Sequence, residues 1–266
     1  MERKPLNGEI MIRSSEQFTF SCRLQYMNST DYSLIYKAEG KYKGKIISGT
    51  MIEYFPDDSA DMYYDISRKT DNKIEIGKLS VKSFNKGRLK FREYYEMIAD
   101  KVKSTDSELL LFDENNTSYF FIKDSIQIKE NISEDAIKIA LSVCRNAADI
   151  SDAGFLVNCS GFIRDKNGTV IPAGAFVLPD SEENNVQKNI LDFGLMFFRF
   201  IFGREATTFD RRIHSERKRS EMIQCTDISD EDFAVVCNII NRTIQHNREN
   251  CFADFTEILN EFEKLI

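Results

Sequence analysis

The chain has 266 residues, 42% of them apolar and 12% aromatic, which is enough to bury a substantial core in one large domain or two lobes. Its 36 basic and 43 acidic residues leave a net charge of −7 and a pI near 5.1, arguing against a nucleic-acid binder held by phosphate neutralisation. Cys22, Cys144, Cys159, Cys225, Cys237 and Cys251 form no CxxC pair and read as reduced structural thiols, and with only His214 and His246 a His/Cys metal site has no support.

At the N-terminus, MERKPLNGEI lacks an apolar core segment, so no signal peptide is expected. Residues 18–55 alternate apolar and polar side chains in three short runs separated by turn-like clusters, the pattern of antiparallel strands. Residues 83–102 change to helical spacing, with Leu89, Tyr94, Met97 and Ile98 near one face. Residues 108–112 and 118–122 bracket the polar turn Asp113-Glu114-Asn115-Asn116-Thr117 and read as a hairpin. Beyond Lys123 the pattern is helical: Ser133 is an expected N-cap for a helix ending near Ile150, and further helices are expected over 187–202, 229–246 and 252–265. Between them Asp165-Lys166-Asn167-Gly168 suits a tight turn joining two short strands. The apolar run 190–203 is broken by Asp192 and Arg199 and falls short of the ~20 residues of a membrane span, so it reads as a core helix. The expected architecture is α+β and two-lobed: 1–123 a five-stranded antiparallel sheet with one helix, 124–266 mostly helical.

Four strings in this order resemble a bacterial Ser/Thr protein kinase domain across nearly the whole chain. They are Ile52-Glu53-Tyr54-Phe55-Pro56, the strand-turn-strand 112–119, the run NILDFGLMFFRFIFGR with Gly194 and Gly203 nine residues apart, and residues 228–265 with Arg248 at a family arginine position. The resemblance implies a protein kinase-like fold, an antiparallel N-lobe over an α-helical C-lobe, and a short set of groups obligatory for phosphoryl transfer.

Residue by residue, those groups are absent. Asn28, Thr30 and Ser33 stand at the three glycine places of the phosphate loop, and Asp31 adds a charge there. At an effective dielectric of ~20, a like charge ~4 Å from a phosphate costs about 4 kcal/mol. Ile52 takes the place of the phosphate-pairing lysine, while Glu93 sits where its helix glutamate partner would be, or is simply a solvated helical residue. The loop 153–164 holds no His-Arg-Asp string, and Gly174-Ala175-Phe176 replaces the metal-binding Asp-Phe-Gly, leaving no hard oxygen ligand. The literal Asp192-Phe193-Gly194 lies inside the apolar helix and is read as a decoy. Asn189 replaces the buried aspartate that braces the catalytic loop, which fits a loop no longer needing a brace. Only a few residues separate Phe176 from Pro179-Asp180, so the activation segment is nearly deleted.

The chain therefore reads as a cytoplasmic pseudokinase without cofactor or metal, with ATP binding not expected, acting as a scaffold or allosteric regulator of a protein partner such as an active kinase. Neither nucleic acid nor a membrane is expected as partner. An atypical enzyme would have to use Asp31, Glu53, Glu93, Arg164 or an Asn158–Cys159 pair, and a ligand or nucleotide sensor would use the cleft between lobes. The basic cluster Arg211, Arg212, Arg217, Lys218 and Arg219 is either a solvated loop or a docking patch for an acidic partner surface.

Overall fold

The computed structural model describes residues 4–6, 8–13, 19–57, 65–103, 109–128, 136–177, 185–212, 217–245 and 248–265. In chain order the strands and helices are β1 (Gly8–Arg13), β2 (Thr19–Ser29), β3 (Ser33–Tyr42), β4 (Lys45–Tyr54), β5 (Ile66–Arg68), β6 (Ile74–Ile76), α1 (Val81–Lys103), β7 (Leu109–Glu114), β8 (Thr117–Lys123), β9 (Ser125–Gln127), α2 (Ala136–Asp152), β10 (Leu156–Val157), β11 (Ile163–Asp165), β12 (Val170–Ile171), β13 (Phe176–Val177), α3 (Asn185–Phe202), α4 (Asp230–Ile244) and α5 (Phe255–Phe262). The expected Ser133 cap lies outside the described residues, as do His214, His246 and the Pro179-Asp180 pair.

Two compact units emerge: 1–127 with 161–180, and 128–160 with 181–266. Set beside the expected division at 123/124, the first unit also takes in the hairpin β11–β12. Its β11 strand pairs antiparallel with β9, Ile163 opposite Gln127 and Arg164 opposite Ile126. The turn itself forms as its Asn-Gly pair requires: Gly168 has φ +85°, and the Asp165 carboxylate accepts from the amides of Asn167 and Thr169, each at 2.9 Å.

The first unit is built on an antiparallel sheet of six strands, β1-β2-β3-β4-β8-β7, one more than the five expected. The extra strand, β1, pairs with β2 and lies near β7, the other end of the hydrogen-bonded order. Its interior is aromatic: the ring of Phe20 stacks on Phe112 at 5.8 Å and tilts against Phe121 at 4.9 Å. Helix α1 covers the other sheet face with Phe84, Phe91, Tyr94, Tyr95 and Ile98, all at most 1% exposed.

The second unit packs α3 against α2 and α4, with α5 closing on α2. Helix α3 is nearly surrounded, burying Phe193, Phe197, Phe198 and Ile201. Ser229 caps α4 by accepting from the amide of Asp232, and Asp254 caps α5 by accepting from that of Glu257, each at 3.0 Å. No helix among the described residues is long and apolar enough to cross a membrane.

Candidate functional site

The turn between β2 and β3 is a tight hairpin tip. Asn28 follows a bulge where the register shifts, and its side chain accepts from the Ser29 amide. Thr30 and Ser33 are 3% and 0% exposed, and the Thr30 amide donates to the Ser33 carbonyl at 2.9 Å. Two further bonds fasten the tip to the chain leaving β4: Phe55 N–H to Tyr32 O at 3.0 Å and Asp57 N–H to Asp31 O at 2.7 Å. A glycine loop works by letting free amides approach phosphate oxygens. Here the turn is tied down, and the buried Tyr32 ring meets Phe176 edge-on at 5.8 Å.

Directly below, Ile52 pairs with Ile35 across β4 and β3, and with Phe120 across β4 and β8. Ile35 and Ile52 are both 0% exposed. Against Ile35 lies Gly174, where an added Cβ would sit 2.7 Å from Ile35 Cδ1 and 3.0 Å from the Gly161 carbonyl. A Cβ on Gly161 would in turn meet the Gly174 carbonyl at 2.1 Å, and the Gly174 amide donates to Gly161 O at 2.7 Å. The two backbones therefore touch: Gly161 has no room for a side chain, and one at Gly174 would need the tip of Ile35 to turn aside.

The segment leading into Gly174 is anchored by α1. The phenols of Tyr94 and Tyr95 donate to the carbonyls of Pro172 and Ala173, respectively. Burial pushes the Tyr95 phenol well above its ordinary range, with Tyr94 adding to the shift, so it remains a donor. Past the glycine, Phe176 enters an aromatic cluster with Phe91 and Tyr94, both at 5.5 Å, and Tyr54 at 6.5 Å. Among the described residues no group of three or more His, Cys, Asp or Glu could hold a metal ion.

Glu93 is not brought to this place. It faces solvent on α1 and pairs with Lys90, while Phe91, Tyr94 and Tyr95 fill the buried face at that level. Its neighbour in the resemblance, Glu53, points to the other side of β4 because successive side chains alternate across a strand. There it is fully buried, accepting from Tyr36 Oη at 2.7 Å and from Arg68 at 2.7 Å. Arg68 also donates to the carbonyls of Lys4 and Asn72, and its guanidinium lies 4.9 Å from the centre of the Phe55 ring. The Leu6 amide donates to Tyr36 Oη at 3.1 Å. Glu53 is thus committed to holding hairpin β5–β6 and the 4–6 segment on the sheet, and is not placed as a base. Sequence reasoning missed Arg68; an arginine in a weak strand pattern carried no sign that it was buried.

In the second unit the expectation for Asn189 is corrected. The side chain is 0% exposed and still braces the loop: its carbonyl oxygen accepts from Val157 N–H at 2.8 Å and its amide donates to Phe155 O at 3.0 Å. An asparagine here couples one donor to one acceptor, which a carboxylate could not do. The decoy reading of Asp192-Phe193-Gly194 agrees with its placement within α3, where Asp192 accepts from the Cys159 amide and Gly194 packs on Thr243. The Cys159 thiol is pushed well up, first by burial and then by the Asp192 charge, which is the opposite of what a nucleophile needs. Asn158 accepts from the Ser160 amide and hydroxyl, so the pair has no activated member.

The basic cluster is largely spent on its own fold. Arg217 has a side chain 3% exposed, donates to the Asp210 carbonyl at 2.8 Å and to Asn241 at 2.9 Å, and lies over the Phe198 ring. Arg211 donates to Ile244 O, and Arg219 pairs with Asp230 at 3.0 Å. Arg212, over Phe209, and Lys218 are the exposed members.

No family model matches the chain, and no curated protein does so by sequence. Solved structures do resemble it. An apo pseudokinase superposes with a TM-score of 0.55 at 11% identity, covering 91% of this chain and 90% of that one. The pseudokinase DRIK1 (drought responsive inactive kinase 1), bound to ENMD-2076, gives a TM-score of 0.54 at 10% identity over the same shares. The fold is kinase-like and α+β, as the four strings implied.

Proposed function

We propose that this chain is a catalytically silent kinase-fold protein that acts by binding another protein, as scaffold or allosteric regulator. The observation that carries this reading is the apolar character of this place: Ile35 and Ile52 are fully buried and pair across β3 and β4, and Gly174 packs against Ile35. On the resemblance, Ile52 and Gly174 stand where a lysine and a metal-binding carboxylate would be, and Gly174 is closely packed between Ile35 and the Gly161 backbone. Phosphoryl transfer consists of positioning and charge neutralisation, so a site without cation, metal ligand or base has nothing with which to stabilise the transferring group. The fold around it is nonetheless fully packed, with Tyr94 and Tyr95 fastening the segment that would hold the metal. Solved pseudokinases of the same fold support the reading as analogy.

The test is the unfolding temperature with and without millimolar ATP and Mg²⁺. A ligand of the native state at ~100 times its Kd adds about 2.7 kcal/mol, a rise of several degrees for a chain this long. The expected result is no shift; a shift accompanied by transfer of labelled γ-phosphate overturns the proposal. Because the neighbour DRIK1 was crystallised with ENMD-2076, that compound belongs in the same assay. A shift with ENMD-2076 but none with ATP favours the sensor reading over the scaffold.

A further inference from the structure

We propose that the first three turns of α1, with the turn before them, dock on anionic phospholipid bilayers. Residues 77–92 contain Lys78, Lys82, Lys86, Arg88, Lys90 and Arg92 and no acidic residue, in a chain whose net charge is −7. Three of these six are engaged within the fold: Arg88 donates to Asn116 O, Lys90 pairs with Glu93 and Arg92 pairs with Asp113. Lys78, Lys82 and Lys86 are exposed and pair with no acidic group among the described residues. Beside them stand apolar side chains that the fold leaves uncovered, Leu79 at 99% exposure and Leu89 at 61%.

The spacing makes this one surface. Residues 82, 86 and 89 follow at intervals of four and three, so Lys82, Lys86 and Leu89 share a helix face, with Lys78 and Leu79 at its N-terminal end. The next residue on that face is the exposed Glu93, where the basic character ends. The positive end of the helix dipole adds to the field of the lysines. At physiological salt the Debye length is ~8 Å, so an approaching surface senses this face rather than the net charge of the chain.

Lipid is favoured over an acidic peptide by shape and by the type of cation. The surface is a convex helix face. The cavity beside it, about 450 Å³, is lined partly by Lys69–Glu75 and Lys73–Asp71, two pairs whose charges cancel, and none of the three lysines lines it. Lysines on flexible stems suit a diffuse anionic layer, whereas a defined carboxylate is better met by the planar fork of arginine. Leucines placed between such lysines can enter the headgroup boundary.

The test is co-sedimentation of the full chain with vesicles of phosphatidylcholine alone and with phosphatidylserine added, at low and high salt. We expect binding only with phosphatidylserine, weakened by salt, falling about fivefold for each lysine lost. The variant K78E/K82E/K86E should bind no vesicles while keeping the wild-type melting temperature, and Leu79→Ser should weaken binding without changing its salt dependence. Equal binding to both vesicle types, or binding by the folded triple variant, overturns the proposal. So does capture of a polyglutamate peptide by these lysines with no vesicle binding, which would assign the face to a protein partner.

Discussion

Where Gly161 meets Gly174, a single methyl group is a sharp probe of the packing. Gly161→Ala would put Cβ 2.1 Å from the Gly174 carbonyl oxygen, and overpacking of this kind costs about 1–3 kcal/mol, measurable as a lower urea midpoint at unchanged slope, whereas Gly174→Ala, which needs only the tip of Ile35 to turn, should cost less. Asn189 gives a second residue-scale test. Replacing it by alanine strands the Val157 amide and Phe155 carbonyl, with about 1–3 kcal/mol expected for each buried group left unpaired. Asn189→Asp should also destabilise, since a carboxylate would face the Phe155 carbonyl. Asp210 sets a pH dependence: its hydrogen bond from Arg204, with further bonds from Thr207, holds the carboxyl below the usual range. A lowered folded-state pKa contributes stability above the unfolded value of about 3.9, and that contribution is lost as pH falls below it. The melting temperatures of wild type and Asp210→Asn should therefore differ at neutral pH and converge in acid.

Among elements, hairpin β5–β6 is held by a buried ion pair, with side chains 4% exposed at Arg68 and 0% at Glu53. Arg68→Ala leaves that carboxylate unpaired, and such losses cost about 3–5 kcal/mol. Glu53→Gln/Arg68→Met should be milder than Arg68→Ala in the same denaturation series. In the loop before α4, Arg217→Ala should lower the melting temperature because Arg217 is buried against Asp210, whereas Arg212→Glu and Lys218→Glu should change it little. Only these last two can test docking of an acidic partner without unfolding the loop. The longer elements were legible because alternation in β2–β4 and helical spacing in α1 and α3 are strong over many residues. Strand β1 was not, since it is defined by its pairing with β2 rather than by a pattern of its own. The three-residue strands β5 and β6 are too short to show a period, and nothing local reveals that β11 pairs with β9 across more than thirty intervening residues.

For the molecule as a whole, net charge concealed what its distribution shows: an overall −7 coexists with sixteen consecutive residues that carry only positive charge. Likewise, isoleucine at 52 and glycine at 174 are plain in the sequence, but that Asn189 ties down its loop was legible only from its two partners. The contact of Gly161 with Gly174 carries a meaning for the paths open to this sequence. A side chain at 161 would run into the Gly174 backbone at 2.1 Å, whereas one at 174 asks only that the tip of Ile35 turn aside and the Gly161 carbonyl give by a few tenths of an ångström, so the two positions do not tolerate substitution equally. The pair thus behaves as a latch with one fixed and one yielding side, and variation at this point of the fold should enter through position 174 before position 161.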